Sequence, residues 1–189
     1  MNFKVRNLIN QWVSVEPLFK IFNFLKNIFL NRKSHFEVGE VDKFHSNNIK
    51  RFNATTALEI GAGRDLFQNL YLSNLLKKQY LFDIDELFSL EAVKKIAKFL
   101  NTEHNYNLYE INTFEDLAKN NIFYEAPCDI LDVTEIKGLD IFLSTSVLEH
   151  IPENALRPIL HKIKEMLKTG GILSLHIDYS DHLSHKDPK

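Results

Sequence analysis

Three short clusters in this chain combine residue types that handle nucleosides. The first is Glu59-Ile60-Gly61-Ala62-Gly63-Arg64-Asp65. Glycines at 61 and 63 let a backbone turn sharply and let a ligand approach main-chain atoms that a Cβ would block. The second is Asp83, followed by Ile84 and lying 20 residues past Gly63. At about that spacing a carboxylate on the neighbouring strand reaches the two hydroxyls of a ribose. Asp83 also suits the N-cap of a helix starting near Asp85. The third cluster is Asp129-Ile130, an acceptor beside an apolar wall, suited to an adenine amino group and ring face.

Two adenosine ligands compete for such a pattern. A dinucleotide calls for the third glycine of G-x-G-x-x-G, close to a pyrophosphate. Leu66 stands there instead. S-adenosylmethionine has no phosphate; it has a sulfonium and an amino-acid tail. Glu59 beside the turn suits that cationic tail and repels phosphate. The residues favour the sulfonium.

These clusters need a sheet to position them. Ala57–Ile60, Tyr80–Asp83, Ile122–Tyr124, Asp140–Leu143 and Ile172–Ile177 are short apolar runs bounded by turn residues and read as strands one to five. Between them, Leu66, Phe67, Leu70, Tyr71 and Leu75 share one helical face, as do Leu87, Leu90, Val93, Ile96, Ala97 and Leu100. A short helical piece is expected around Phe114–Ala118. A further helix carries Leu156, Ile159, Leu160, Ile163 and Leu167 inward; it is expected to start near Asn154, which puts Pro158 in its first turn. Gly170-Gly171 are expected to cap it. Strands alternating with helices build an α/β fold, a Rossmann-like doubly wound, mostly parallel sheet of about five strands with helices on both faces. Its ligand crevice lies beyond the carboxyl ends of the strands, where strand order reverses.

Composition sets the frame around this. The 189 residues are 44 % hydrophobic and 25 % charged, which excludes a disordered chain and a disulfide scaffold. A formal net charge of −2 gives no electrostatic reason to bind nucleic acid. The single cysteine, Cys128, forms no internal disulfide, and a cytoplasmic location is the default expectation. Residues 1–50 are expected as a helical segment and residues 51–189 as the Rossmann-like domain. Within the former, residues 17–30 (PLFKIFNFLKNIFL) are strongly apolar but interrupted by Lys20 and Lys26, and too short to span a bilayer. The stretch reads as a docking helix, or as a lid or membrane-surface contact.

The segments ALEIGAGRD, LFDID, LDIFLSTSVLEHIP and LKTGGILSLHIDYSDH, in this order, resemble class I S-adenosylmethionine-dependent methyltransferases of the small-molecule, type 11-like kind. The resemblance covers roughly residues 55–182. It implies that Glu59, Gly61, Ala62, Gly63 and Asp65 border the methionyl part of the cofactor, and that Asp83, with Ile84 beside it, takes the ribose. It also implies that Asp129 and Ile130, with Asp132 as a rival, flank the adenine. Ser144 and Thr145 match the strand end facing the transferring methyl, and Glu149-His150 the signature opening the next loop. Asp65 stands where the family's third glycine belongs, and Thr169 where a proline precedes the double glycine. The family's sheet continues with two more strands, so the domain is expected to be incomplete at its carboxyl end, with strand five an exposed edge available to another subunit.

Methyl transfer is an in-line displacement, and an oxygen acceptor also needs a base. His150 is the candidate, histidine being the side-chain type suited to proton transfer near neutral pH, with Asp178 and His182 as rivals. Asp178, Asp181, His182 and His185 resemble a metal cluster, but a solvated tail is the expected role and no metal is assigned. The expected activity is methyl transfer to a small-molecule acceptor (a sugar, lipid or secondary metabolite). A non-catalytic domain that binds the nucleoside or a partner is the alternative.

Overall fold

The computed structural model describes residues 36–179. The apolar stretch 17–30 and Asp181, His182 and His185 lie outside them. The chain divides into two units, Met1–Glu37 and Val38–Lys189. The expected boundary at residue 50 thus falls inside the first described helix, which belongs to the second unit.

In chain order that unit comprises α1 (Glu40–Phe52), β1 (Thr56–Ile60), α2 (Phe67–Leu72), β2 (Lys78–Phe82) and α3 (Leu90–Glu103). These are followed by β3 (Ile122–Glu125), β4 (Leu139–Thr145), α4 (Glu153–Met166) and β5 (Leu167–His176). Short 3₁₀ turns cover Phe114–Asn120, Ile130–Asp132 and Leu148–His150. The five strands are parallel and ordered β3-β2-β1-β4-β5. Strand order therefore reverses between β1 and β4, and the crevice at their carboxyl ends is the expected ligand position.

Both sheet faces are covered. On one, Leu58, Ile60, Phe82 and Phe142 pack with Ile159, Ile163 and Met166 of α4, which recur at helical spacing. On the other, Ala57, Ile141 and Leu143 pack with Ile49 of α1 and with Leu72 and Leu76. Such near-continuous apolar strands are what a doubly covered parallel sheet requires. Among the described residues β3 and β5 are its edges, and no helix is long and apolar enough to cross a membrane.

Three local expectations are corrected. Ser89, not Asp83, caps α3: its Oγ accepts from the Ala92 N–H at 3.4 Å. The helix therefore begins at Leu90 and leaves Leu87 53 % exposed. Pro158 lies in the second turn of α4, because the Ala155 and Leu156 N–H groups already bond the Pro152 carbonyl. Gly170-Gly171 do not cap α4. The helix ends at Met166, Leu167 already pairs with Leu139, and Ile172 pairs with Ile141, so residues 168–171 bulge out of β5. A Cβ on Gly171 would lie 3.0 Å from the Lys168 carbonyl oxygen and 3.1 Å from that of Leu139.

Asp140 pins this bulge. Its Oδ1 pairs with the Lys168 ammonium, and its Oδ2 accepts from the N–H and hydroxyl groups of both Thr55 and Thr56 at 2.7–3.0 Å. Burial pushes the carboxyl upward, but the ammonium and these donors outweigh it and hold Asp140 well below the usual carboxylate range.

Candidate functional site

The glycine turn and Asp83 share one rim. Gly61 (φ 74°) and Gly63 (φ 78°) are both left-handed, a conformation that disfavours a side chain. At Gly61 space is short as well, since a Cβ would come within 2.5 Å of Val147 Cγ2. At Gly63 nothing lies within 4 Å, so its face is open. The Gly61 N–H donates to the Phe82 carbonyl at 2.9 Å, the Asp83 N–H to that of Glu125 at 3.2 Å, and the Cys128 N–H to that of Asp83 at 2.8 Å. The ends of β1, β2 and β3 are thereby stitched side by side.

Asp83 is 5 % exposed, and its Oδ2 is shielded from solvent with no hydrogen-bond partner among the described residues. Burial raises its pKa, while the Tyr124 hydroxyl and the Gly63 and Ala62 backbone N–H groups work against the rise. The Tyr124 hydroxyl, buried beside this carboxyl, likewise has no partner within hydrogen-bond distance, and polar groups left short of a partner in this way are costly. Ile84, next to Asp83, is 62 % exposed.

Glu59 sits beneath the turn rather than in the open. Its Oε1 accepts from Gln68 Nε2 at 2.9 Å and its Oε2 from Asn69 Nδ2 at 2.6 Å. Burial pushes its carboxyl up to about 7 against those two amides, with Asp83 and Asp42 adding to the rise. Asp65 opens α2, its Oδ1 accepting from the Phe67 N–H at 3.1 Å.

Asp129 caps its own 3₁₀ turn, Oδ1 accepting from Leu131 N–H at 2.9 Å, and remains exposed at the rim. Asp132 is exposed at the far end of that turn. The Ile130 side chain points away from the rim into the core, beside Phe82 and Phe142. Of its apolar neighbours in sequence, Leu131 is 41 % exposed. Ser144 faces the α4 side, fully buried, its Oγ without a partner.

Thr145 faces the other side and joins a network that sequence reasoning missed. Its hydroxyl donates to Gln68 Oε1 at 2.9 Å and lies 3.0 Å from Nε2 of the fully buried His45, on α1. The other ring nitrogen, Nδ1, is 2.8 Å from Ser174 Oγ, which also accepts from Asn48 Nδ2 at 2.8 Å. Burial, helped by nearby His176, lowers the His45 pKa to about 4. The available signal was a histidine on the buried stripe of α1, four residues before Ile49.

His150 is exposed in the 3₁₀ turn after β4. A second imidazole lies at the same rim: His176 pairs opposite Thr145, and its Nδ1 is 3.2 Å from Ser146 Oγ. Glu149 Oε1 accepts from the Asp178 N–H at 3.0 Å, so Asp178 is tied to the signature loop. Among the described residues no His, Cys, Asp and Glu cluster is arranged to hold a metal.

A groove of about 650 Å³ runs along the β3 edge, lined by Tyr80, Phe82, Phe114, Phe123 and Ile136 among others, and none of Gly61, Gly63 or Asp83 lines it.

No family model and no curated protein matches this chain in sequence. Solved structures do match its fold. It aligns with the N-methyltransferase NodS from Bradyrhizobium japonicum at 17 % identity, covering 82 % of this chain and 74 % of that one, TM-score 0.51. A TehB-like S-adenosylmethionine-dependent methyltransferase from Corynebacterium glutamicum aligns at 15 % identity, covering 80 % and 68 %, TM-score 0.51. An S-adenosylmethionine-dependent methyltransferase from Clostridium acetobutylicum aligns at 14 % identity, covering 84 % of this chain, TM-score 0.50. The chain spans just over half of the first structures that it matches, 51 % and 58 % of their lengths. The five-stranded Rossmann-like sheet seen here is therefore a fold that this chain shares with these three methyltransferases.

Proposed function

We propose that this protein is an S-adenosylmethionine-dependent methyltransferase acting on a small molecule. One observation carries the reading: an open left-handed glycine, Gly63, stands beside the largely buried carboxylate of Asp83 at the end of the neighbouring strand. The Asp83 carboxylate would accept from the ribose hydroxyls, and the open glycine admits the chain that follows the ribose. Ile84 and Leu131 offer apolar cover for a purine, and Asp129 an acceptor for its amino group. The backbone of Gly61, Ala62 and Gly63 would border the methionyl end, with Glu59 setting a negative potential beneath it.

The bound cofactor supplies an electrophilic methyl group on a sulfonium. The protein's own task is to hold an acceptor in line with that methyl, exclude water and, for an oxygen acceptor, take its proton. Thr145 and Ser146 mark the strand end where the acceptor would sit, and His150 and His176 are the imidazoles at that rim. A methyltransferase fold of this net charge favours a small acceptor over a nucleic acid.

A non-catalytic domain that binds the nucleoside or a partner is the second reading. Transfer of a labelled methyl group to a panel of hydroxylated and amine acceptors separates the two. Turnover establishes the enzyme. Cofactor binding with no turnover on any acceptor favours the second reading.

A further inference from the structure

The hydrogen bonds from α1 to the glycine turn run one way, and chemistry sets the direction. With Glu59 ionised, above its titration at about 7, both of its oxygens only accept, so the Gln68 side chain faces it with its NH₂ group. Its Oε1 then faces Thr145 and accepts the threonine hydroxyl proton. That hydroxyl has one proton, already given, so the Thr145 oxygen must accept from His45 Nε2. Nδ1 is left as the acceptor for the Ser174 hydroxyl, and the Ser174 oxygen accepts from the Asn48 amide. Five successive bonds thus lead from Asn48 to Glu59, with each donor committed to the next group.

This file crosses the crevice between the ends of β1 and β4. It clamps the β4 rim at Thr145 to α2 at Gln68, and α2 to the carboxylate under the turn at Glu59. Ser174 is 1 % exposed and His45 fully buried, so the polar groups were removed from water to make it. Buried polar networks of this kind rigidify when fully satisfied. We propose that His45, held as the neutral Nε2–H tautomer between Ser174 and Thr145, is a positioning residue for the cofactor: it fixes Gln68 and Glu59, and through them the glycine turn. The proposal rests on the cofactor reading above.

Two measurements test it on the full chain. In ¹⁵N-histidine-labelled protein at pH 8.5, where Glu59 is ionised, the His45 ring should show a protonated Nε2 and an unprotonated Nδ1. A protonated Nδ1 overturns the proposal whatever the protein binds. In calorimetric titrations with S-adenosylmethionine, His45→Ala should weaken binding about tenfold, the worth of one lost internal hydrogen bond. His45→Gln, whose amide nitrogen can replace Nε2 as donor to Thr145, should stay within about threefold of wild type. Thr145→Val breaks the file while keeping side-chain shape and serves if the alanine variant fails to fold; it should weaken binding by a similar factor. Wild-type affinity in a folded His45→Ala or Thr145→Val protein overturns the positioning role alone, as does a folded His45→Gln that binds no better than His45→Ala. A wild-type protein that does not bind at all overturns the cofactor reading, and this proposal with it.

Discussion

Asp83→Asn separates binding from stability, and the two should move in opposite directions. The Asp83 carboxylate is 5 % exposed, one of its oxygens lacks a donor, and burial raises its pKa. An acid whose folded pKa lies above its unfolded value destabilises the fold once ionised. The cost is absent below the unfolded pKa and grows as pH rises through the folded one. The amide variant carries no such cost, so its apo melting temperature should equal or exceed that of wild type at pH 8, and the gap should shrink toward pH 4. The same change removes one charge-assisted acceptor for ribose, worth about 1.5–3 kcal/mol, or roughly ten- to a hundredfold in Kd. Scanning fluorimetry of the apo proteins and calorimetry with S-adenosylmethionine read the two effects. An unchanged Kd, or a melting temperature several degrees lower at pH 8, refutes the reasoning.

The two turn glycines should differ. Gly63→Ala meets only its left-handed φ, costing about 1–2 kcal/mol, yet should abolish cofactor affinity; Gly61→Ala adds the Val147 clash and should melt lower, with Val147→Ala restoring part of the loss. Asp140→Ala removes a largely buried carboxylate and its bonds to Thr55 and Thr56, although its Lys168 partner is half exposed, and should cost about 1.5–3 kcal/mol in denaturant unfolding. Because the Asp140 pKa is depressed, that contribution should be full above pH 4 and fade as pH falls through its folded value. For Glu59, raised to about 7, the wild type should lose stability relative to Glu59→Gln between about pH 4.5 and 7, and the difference should then level off. Once an acceptor is found, His150→Ala and His176→Ala identify the base: the variant that removes the alkaline-rising limb of the kcat/KM pH profile held it.

Short apolar runs bounded by turn residues made all five strands legible, and the pairing of Gly61 and Gly63 with Asp83 across neighbouring strands followed from their spacing. What escaped depended on contacts distant in sequence. Gly170-Gly171 have the composition of a helix cap, and only the pairing of Lys168 with Asp140 and of Leu167 with Leu139 turns them into a bulge. Ile130 and Asp129 are adjacent, yet the cap bond to Leu131 holds the aspartate outward while the isoleucine fills the core. His45 reaches Thr145 and Ser174 across more than ninety residues of chain, and no local pattern announces such partners.

The claim at the centre is that the Gly61–Gly63 turn and Asp83 together hold an adenosyl group. A crystal structure of the complex with S-adenosylhomocysteine tests it most directly. The ribose hydroxyls should lie on the Asp83 carboxylate, with the homocysteine chain passing the open side of Gly63. A nucleoside seated elsewhere, such as the aromatic groove along β3, would contradict the account.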